Sequence, residues 1–197
     1  MWPTQPAYLE VWLEKDALSG IFENALQRYG VTLNVGRGYD GWDSIHHAAE
    51  RYRRWPPCPY AEDDPACLEW DAEMIPTTIL YFGDFDPSGE DMVRSLGERL
   101  AFFEVEPTIK KCALTADDVT HYQLPPDFTK TTDTRRAAFV EKYGDIAVEL
   151  DALPVDVLRA RLVAEVEALM DLEALAEIRA LENQERHRLA DALRDVN

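Results

Sequence analysis

Thr77-Thr78-Ile79-Leu80-Tyr81-Phe82 runs straight into Gly83-Asp84-Phe85-Asp86-Pro87-Ser88-Gly89. The first six residues form a continuous β-branched and apolar run, as expected of a strand buried on both faces. The next seven combine turn formers with two acids. A helix is predicted from about Glu90 to Phe103, with Met92, Val93, Leu96 and Leu100 on one face. Strand, acidic turn and helix make one arm of a parallel α/β unit.

The same alternation extends outward. Tyr8–Leu13 reads as a first strand running into Glu14-Lys15-Asp16, and Ala17–Tyr29 as a helix closed by Gly30. Val31–Val35 is a short second strand closed by Gly36-Arg37-Gly38, and a helix capped by Asp43 or Ser44 runs to Arg54 before Pro56 and Pro57. Cys58–Pro76 is an acid-rich, proline-interrupted connection with at most a helical turn near Leu68. Downstream, Thr108–Leu114 is a fourth strand, Thr115–His121 a short capped helix, Pro125–Arg136 irregular, and Ile146–Leu150 a last strand or strand-like edge. From Pro154 the pattern is helical, with a stripe of Leu158, Leu162, Val166 and Leu169. Asp171 resets the chain before a second helix through Arg194. The predicted architecture is α/β: a mostly parallel, Rossmann-like sheet flanked by helices over residues 8–155. A C-terminal helical extension over 156–197 packs on that domain or projects from it.

Composition constrains the chemistry. Of 197 residues, 46% are hydrophobic and 29% charged, ordinary for a globular chain, and no apolar run is long enough to cross a membrane. The N-terminus lacks the basic start and apolar stretch of a secretory signal, so a cytoplasmic location is expected. The net charge of −18 opposes long-range attraction to a polyphosphate. Any work on nucleic acid must then run through a local basic patch, carboxylate-bound metal ions or a basic partner. Cys58, Cys67 and Cys112 are too few, and odd in number, for a disulfide framework. With His46 and His47 nearby they still match no compact zinc knuckle, and they read as free thiols.

The acids stand where such sheets place their chemistry. Glu14 follows one predicted strand and Asp84 and Asp86 follow another, at the carboxyl ends of a parallel sheet. In an extended segment, side chains two apart point the same way, so Asp84 and Asp86 can converge on one hard cation. Turn chemistry alone also explains an Asp-x-Asp pair. Lys15 and Arg37 lie beside these carboxylates, positioned either to contact phosphates or to balance the acids. Lys130 and Asp133 are placed to reach the same pocket or to serve as turn residues. Lys110 and Lys111 start at most a small basic face, and Glu149 and Asp151 extend the acidic site if their segment runs parallel to the other strands.

Glu14-Lys15-Asp16-Ala17, Val35-Gly36-Arg37-Gly38-Tyr39 and Gly83-Asp84-Phe85-Asp86-Pro87-Ser88-Gly89 together resemble the Toprim domain. The nearest version is that of the topoisomerase VI A subunit and the related meiotic double-strand-break protein, alongside Toprim-like proteins of bacteria and phages. Ala113-Leu114-Thr115, Tyr122–Pro126, Lys130–Asp133 and Val148–Pro154 are similar to the C-terminal half of that domain. The resemblance implies that Glu14, Asp84 and Asp86 are catalytic and metal-binding, that Mg²⁺ (or Mn²⁺) is the cofactor, and that Lys15, Arg37 and Lys130 contact nucleic acid. DNA is the expected substrate, with RNA left open, and the expected activity is that of a nuclease or a strand-cleaving component of a topoisomerase-like system. Topoisomerase VI A subunits carry a tyrosine-bearing winged-helix module ahead of this domain. Seven residues precede Tyr8 here, so a covalent protein–DNA link is not expected. A fragment, a split subunit and a free-standing enzyme all remain open. The alternative function is a non-catalytic interaction module, needing a partner or pairing with itself through the C-terminal helices.

Overall fold

The computed structural model describes residues 4–36, 41–53, 75–130 and 132–194. Four strands, β1 (Tyr8–Leu13), β2 (Thr32–Val35), β3 (Thr77–Phe82) and β4 (Thr108–Ala113), form one sheet in the order β2-β1-β3-β4. Every pairing is parallel, with Leu13 opposite both Val35 and Phe82. The helices are α1 (Ser19–Leu26), α2 (Trp42–Arg53), α3 (Pro87–Phe102), α4 (Ala116–His121), α5 (Arg136–Tyr143), α6 (Val155–Glu167) and α7 (Leu172–Arg194). The expected α/β class and parallel sheet are therefore present, together with a C-terminal helical segment.

Strand alternation sorts the core. Leu9, Val11 and Leu13 face α1 and α6, where Phe22 meets Phe82 edge-on at 5.0 Å. Tyr8, Glu10 and Trp12 face α2 and α3, which pack together on the other side. All six residues of β1 and five of β3 are buried, which accounts for the apolar runs of both strands, interrupted in β1 only by Glu10. The sequence order reverses direction between β1 and β3: β2 lies on one side of β1, while β3 and β4 lie on the other. That reversal opens a crevice at the carboxyl ends of β1 and β3.

Several boundaries differ from the sequence reading. Helix α3 begins at Pro87, three residues early, because Asp86 caps it and Pro87 is pre-set for its first turn. Helix α5 occupies residues for which no element was expected; its only strong signal is Phe139 with Tyr143 at helical spacing. The segment around Val148 is not a strand of the sheet. It forms isolated antiparallel bridges, Phe85 with Val148 and Asp127 with Ala147. Arg37, Cys58, Cys67 and the connection around Leu68 lie outside the described residues.

Helix α6 adds Leu158, Leu162 and Val166 to the same core. Helix α7 is tethered at its start, where the Gln5 side chain bonds the backbone of Asp171 and Leu175 is buried. Residues 180–194 are exposed throughout. Among the described residues, no helix is long and apolar enough to cross a membrane.

Candidate functional site

Glu14 leaves β1 with its backbone N–H bonded to Phe82 O, so the strand ladder carries it to the mouth of the crevice. Its Oε2 accepts hydrogen bonds from the Tyr81 hydroxyl at 2.9 Å and from the Asp84 backbone N–H at 3.1 Å. Burial, followed by the Glu14 charge, drives the Tyr81 phenol far above its ordinary value, so it stays a donor to that carboxylate. Gly83 makes the contact possible: a Cβ there would stand 2.5 Å from Glu14 Oε2 and from the Tyr81 hydroxyl.

The loop after β3 is held from below. Phe85 is buried, its ring packed on Phe139 at 5.2 Å and Tyr143 at 5.1 Å, and both its backbone polar groups bond Val148 at 2.9 Å. With Phe85 inserted in the core, the flanking Asp84 and Asp86 line the opposite side of the loop, in a pocket of about 110 Å³. Asp84 Oδ1 accepts from Leu150 N–H at 2.8 Å, and Asp86 Oδ1 caps α3 by accepting from Gly89 N–H at 2.6 Å. Gly89 is required by close packing, since a Cβ there would meet Asp84 O at 2.1 Å. Each residue of the Gly83–Gly89 block except Ser88 thus has an identifiable structural task. Among the described residues, one oxygen of each of Glu14, Asp84 and Asp86 accepts no hydrogen bond.

Burial is the main force pushing the Asp84 carboxyl up to about 6. The Glu14 and Asp86 charges add to it, while Leu150 N–H and Lys15 oppose it. Lys15 is engaged by acids, 2.6 Å from Glu149 and 3.2 Å from Asp151, an arrangement that neutralises charge. Those two acids reach the site although their segment bridges antiparallel. Lys130 and Asp133 line the pocket with Asp84 and Asp86, as does Glu149. The Asp133 carboxylate is paired with Arg135.

Lys111 is a member of the site that its sequence context did not mark. Alternation along β4 sends Lys110 toward Glu165 of α6 and Lys111 the other way. Lys111 Nζ donates to Asp84 O at 2.9 Å and to Glu90 at 2.7 Å, placing a half-buried cation under the acidic loop. A second missed feature lies lower on the same face of the sheet. Glu10, fully buried, accepts hydrogen bonds from Arg51, Asn34, Tyr8, Trp12 and Tyr52 at 2.6–3.2 Å. Burial and the Glu10 charge push the Tyr8 phenol up to about 12 and Tyr52 well above its ordinary value. Tyr8 belongs to this structural network.

The three strand-end carboxylates share one corner but do not close a tight cage. Among the described residues, only His46, His47 and Glu50 bring three ligand atoms within 4.8 Å of one another. The acidic donors are hard oxygens, suited to an ion that keeps several waters and takes few direct carboxylates. That donor chemistry fits Mg²⁺. Neither protein-family models nor curated proteins yield a match to this chain.

Proposed function

We propose that this protein performs magnesium-dependent phosphodiester chemistry on nucleic acid, as a nuclease or strand-cleaving component. The observation that carries this reading is the placement of Glu14, Asp84 and Asp86 at the carboxyl ends of adjacent parallel strands, at the switch in strand order. A bound divalent ion would supply charge stabilisation for the attacking and leaving oxygens of an in-line displacement. Glu14, Asp84 and Asp86 would hold it, each through an oxygen that accepts no hydrogen bond among the described residues. Lys111 braces the loop from beneath and limits the repulsion among the acids. Lys130 stands at the pocket rim in position to meet a phosphate. The acidic lining and the net charge of −18 make the metal the principal attraction for that phosphate.

The test is cleavage of single- and double-stranded DNA and of RNA with Mg²⁺ or Mn²⁺, wild type against Asp84→Asn and Glu14→Gln. The expected result is metal-dependent cleavage that falls at least a hundredfold in either variant. Undiminished cleavage in both would overturn the assignment.

A second reading, a non-catalytic module that binds a partner or a second copy, draws support from α7. Leu181, Leu189 and Leu193 on that helix are 56%, 64% and 67% exposed. It requires that purified chain turn over none of these substrates.

A further inference from the structure

Helix α2 places Glu50 one turn beyond His46, so the two side chains are neighbours on its surface, and His47 flanks them. Ile45, Ala48, Ala49 and Tyr52 form the buried side of this helix; His46 and Glu50 are half-buried at its border, and His47 is exposed. One ligand atom from each of His46, His47 and Glu50 lies within 4.8 Å of the others. The His46 ring is held against Phe103, with centroids 5.1 Å apart. Asp43 Oδ2 lies 3.7 Å from His47 Nδ1 and adds negative charge beside the trio. None of these residues takes part in the acidic corner.

We infer that His46, His47 and Glu50 form a second metal site, distinct from the acidic corner, that takes a zinc-like divalent transition-metal ion. Two imidazoles and one carboxylate suit Zn²⁺, Cu²⁺ or Ni²⁺, whereas Mg²⁺ and Ca²⁺ favour all-oxygen surroundings. Small rotations, chiefly of the exposed His47 ring, bring the ligand atoms to bonding distance, and water completes the coordination shell on the solvent side. The ion staples the helical turn next to Arg51, the residue that clamps buried Glu10. Because the site exists only in the folded chain, binding stabilises the fold.

The test is calorimetric titration of the reduced full chain with Zn²⁺, and electron paramagnetic resonance with Cu²⁺. Wild type is compared with His46→Ala/His47→Ala and, separately, with Asp84→Asn. One equivalent of Zn²⁺ should bind wild type and Asp84→Asn alike, and its affinity should fall at least tenfold in the double-histidine variant. Cu²⁺ should show nitrogen coupling from two imidazoles, lost in the same variant, with far-UV circular dichroism confirming that the variant is folded. An isotherm unchanged by loss of both histidines, no saturable uptake by wild type, or a copper spectrum without nitrogen coupling would each overturn the proposal.

Discussion

Burial holds the Asp84 carboxyl up to about 6, against an ordinary value of 3.8, and this has a sign that can be checked. Below about pH 4 both folded and unfolded chains keep the proton. Between about 4 and 6 the unfolded chain releases it while the folded chain holds it, so stability falls as pH rises through that window. Asp84→Asn removes this cost and is expected to raise the melting temperature of the metal-free protein at pH 7.5 by a few degrees. That corresponds to about 1–2 kcal/mol after allowing for partial solvent exposure, with little effect at pH 4. If Mg²⁺ binds as proposed, adding it should stabilise wild type but not the variant, and the ion should lose affinity as pH falls through 6. Asp86 separates two roles in another way. Asp86→Ala removes the α3 cap as well as a proposed metal ligand and is expected to cost about 1 kcal/mol in urea unfolding, whereas Asp86→Asn keeps the cap. Both should weaken Mg²⁺ binding, so equal stability losses for the two would deny the cap its role. These aspartates were legible in the sequence because local spacing marks them: strand, Gly-Asp-Phe-Asp-Pro-Ser-Gly, helix. Glu10 was not, because its partners Asn34, Arg51 and Tyr52 lie 24, 41 and 42 residues away and no short pattern unites them.

The two most deeply buried strands were the most readable elements. The runs of β1 and β3 give long apolar signals, and these strands fall where the sequence placed them. Helix α5 was overlooked because it rests on the rest of the fold mainly through Phe139 and Tyr143, too few positions to establish a period. The Val148 segment misleads for a related reason: it is apolar because it supports Phe85, although it joins no strand of the sheet. Packing between elements also creates the sharpest stability test. Arg51 of α2 reaches Glu10 of β1 with Nε at 2.8 Å and Nη2 at 3.0 Å, next to the Tyr52 hydroxyl at 2.7 Å. Arg51→Met leaves a buried carboxylate without its cation, a loss expected to be about 3–5 kcal/mol. Glu10→Gln combined with Arg51→Met should recover part of that loss, because the charge is then absent. A denaturant double-mutant cycle measures the coupling, and additive losses would mean that the pair is not a unit.

At the scale of the whole molecule, the parallel sheet and its helices form one core that continues into α6, while most of α7 stands outside it. Among the described residues Leu175 is the last buried one, and from 180 to 194 every side chain is exposed. Apolar surface that is already exposed contributes no burial to the fold, so a chain ending at residue 180 should keep its stability. Thermal melts of the shortened and full chains are expected to agree within about 2 °C, since exposed positions away from packing typically contribute under about 0.5 kcal/mol each. Mg²⁺ affinity should likewise be unchanged, because among the described residues no α7 side chain bonds Glu14, Asp84 or Asp86 or lines the pocket of the two aspartates. Sedimentation at several concentrations then tests self-pairing through α7. If α7 joins two copies, the full chain is expected to show concentration-dependent mass that the shortened chain lacks, accompanied by a melting temperature that rises with concentration. A monomer mass at every concentration in both chains would remove self-pairing, so that the exposed leucines of α7 could serve only a different partner and the cleavage assay with Asp84→Asn and Glu14→Gln decides between the two functions.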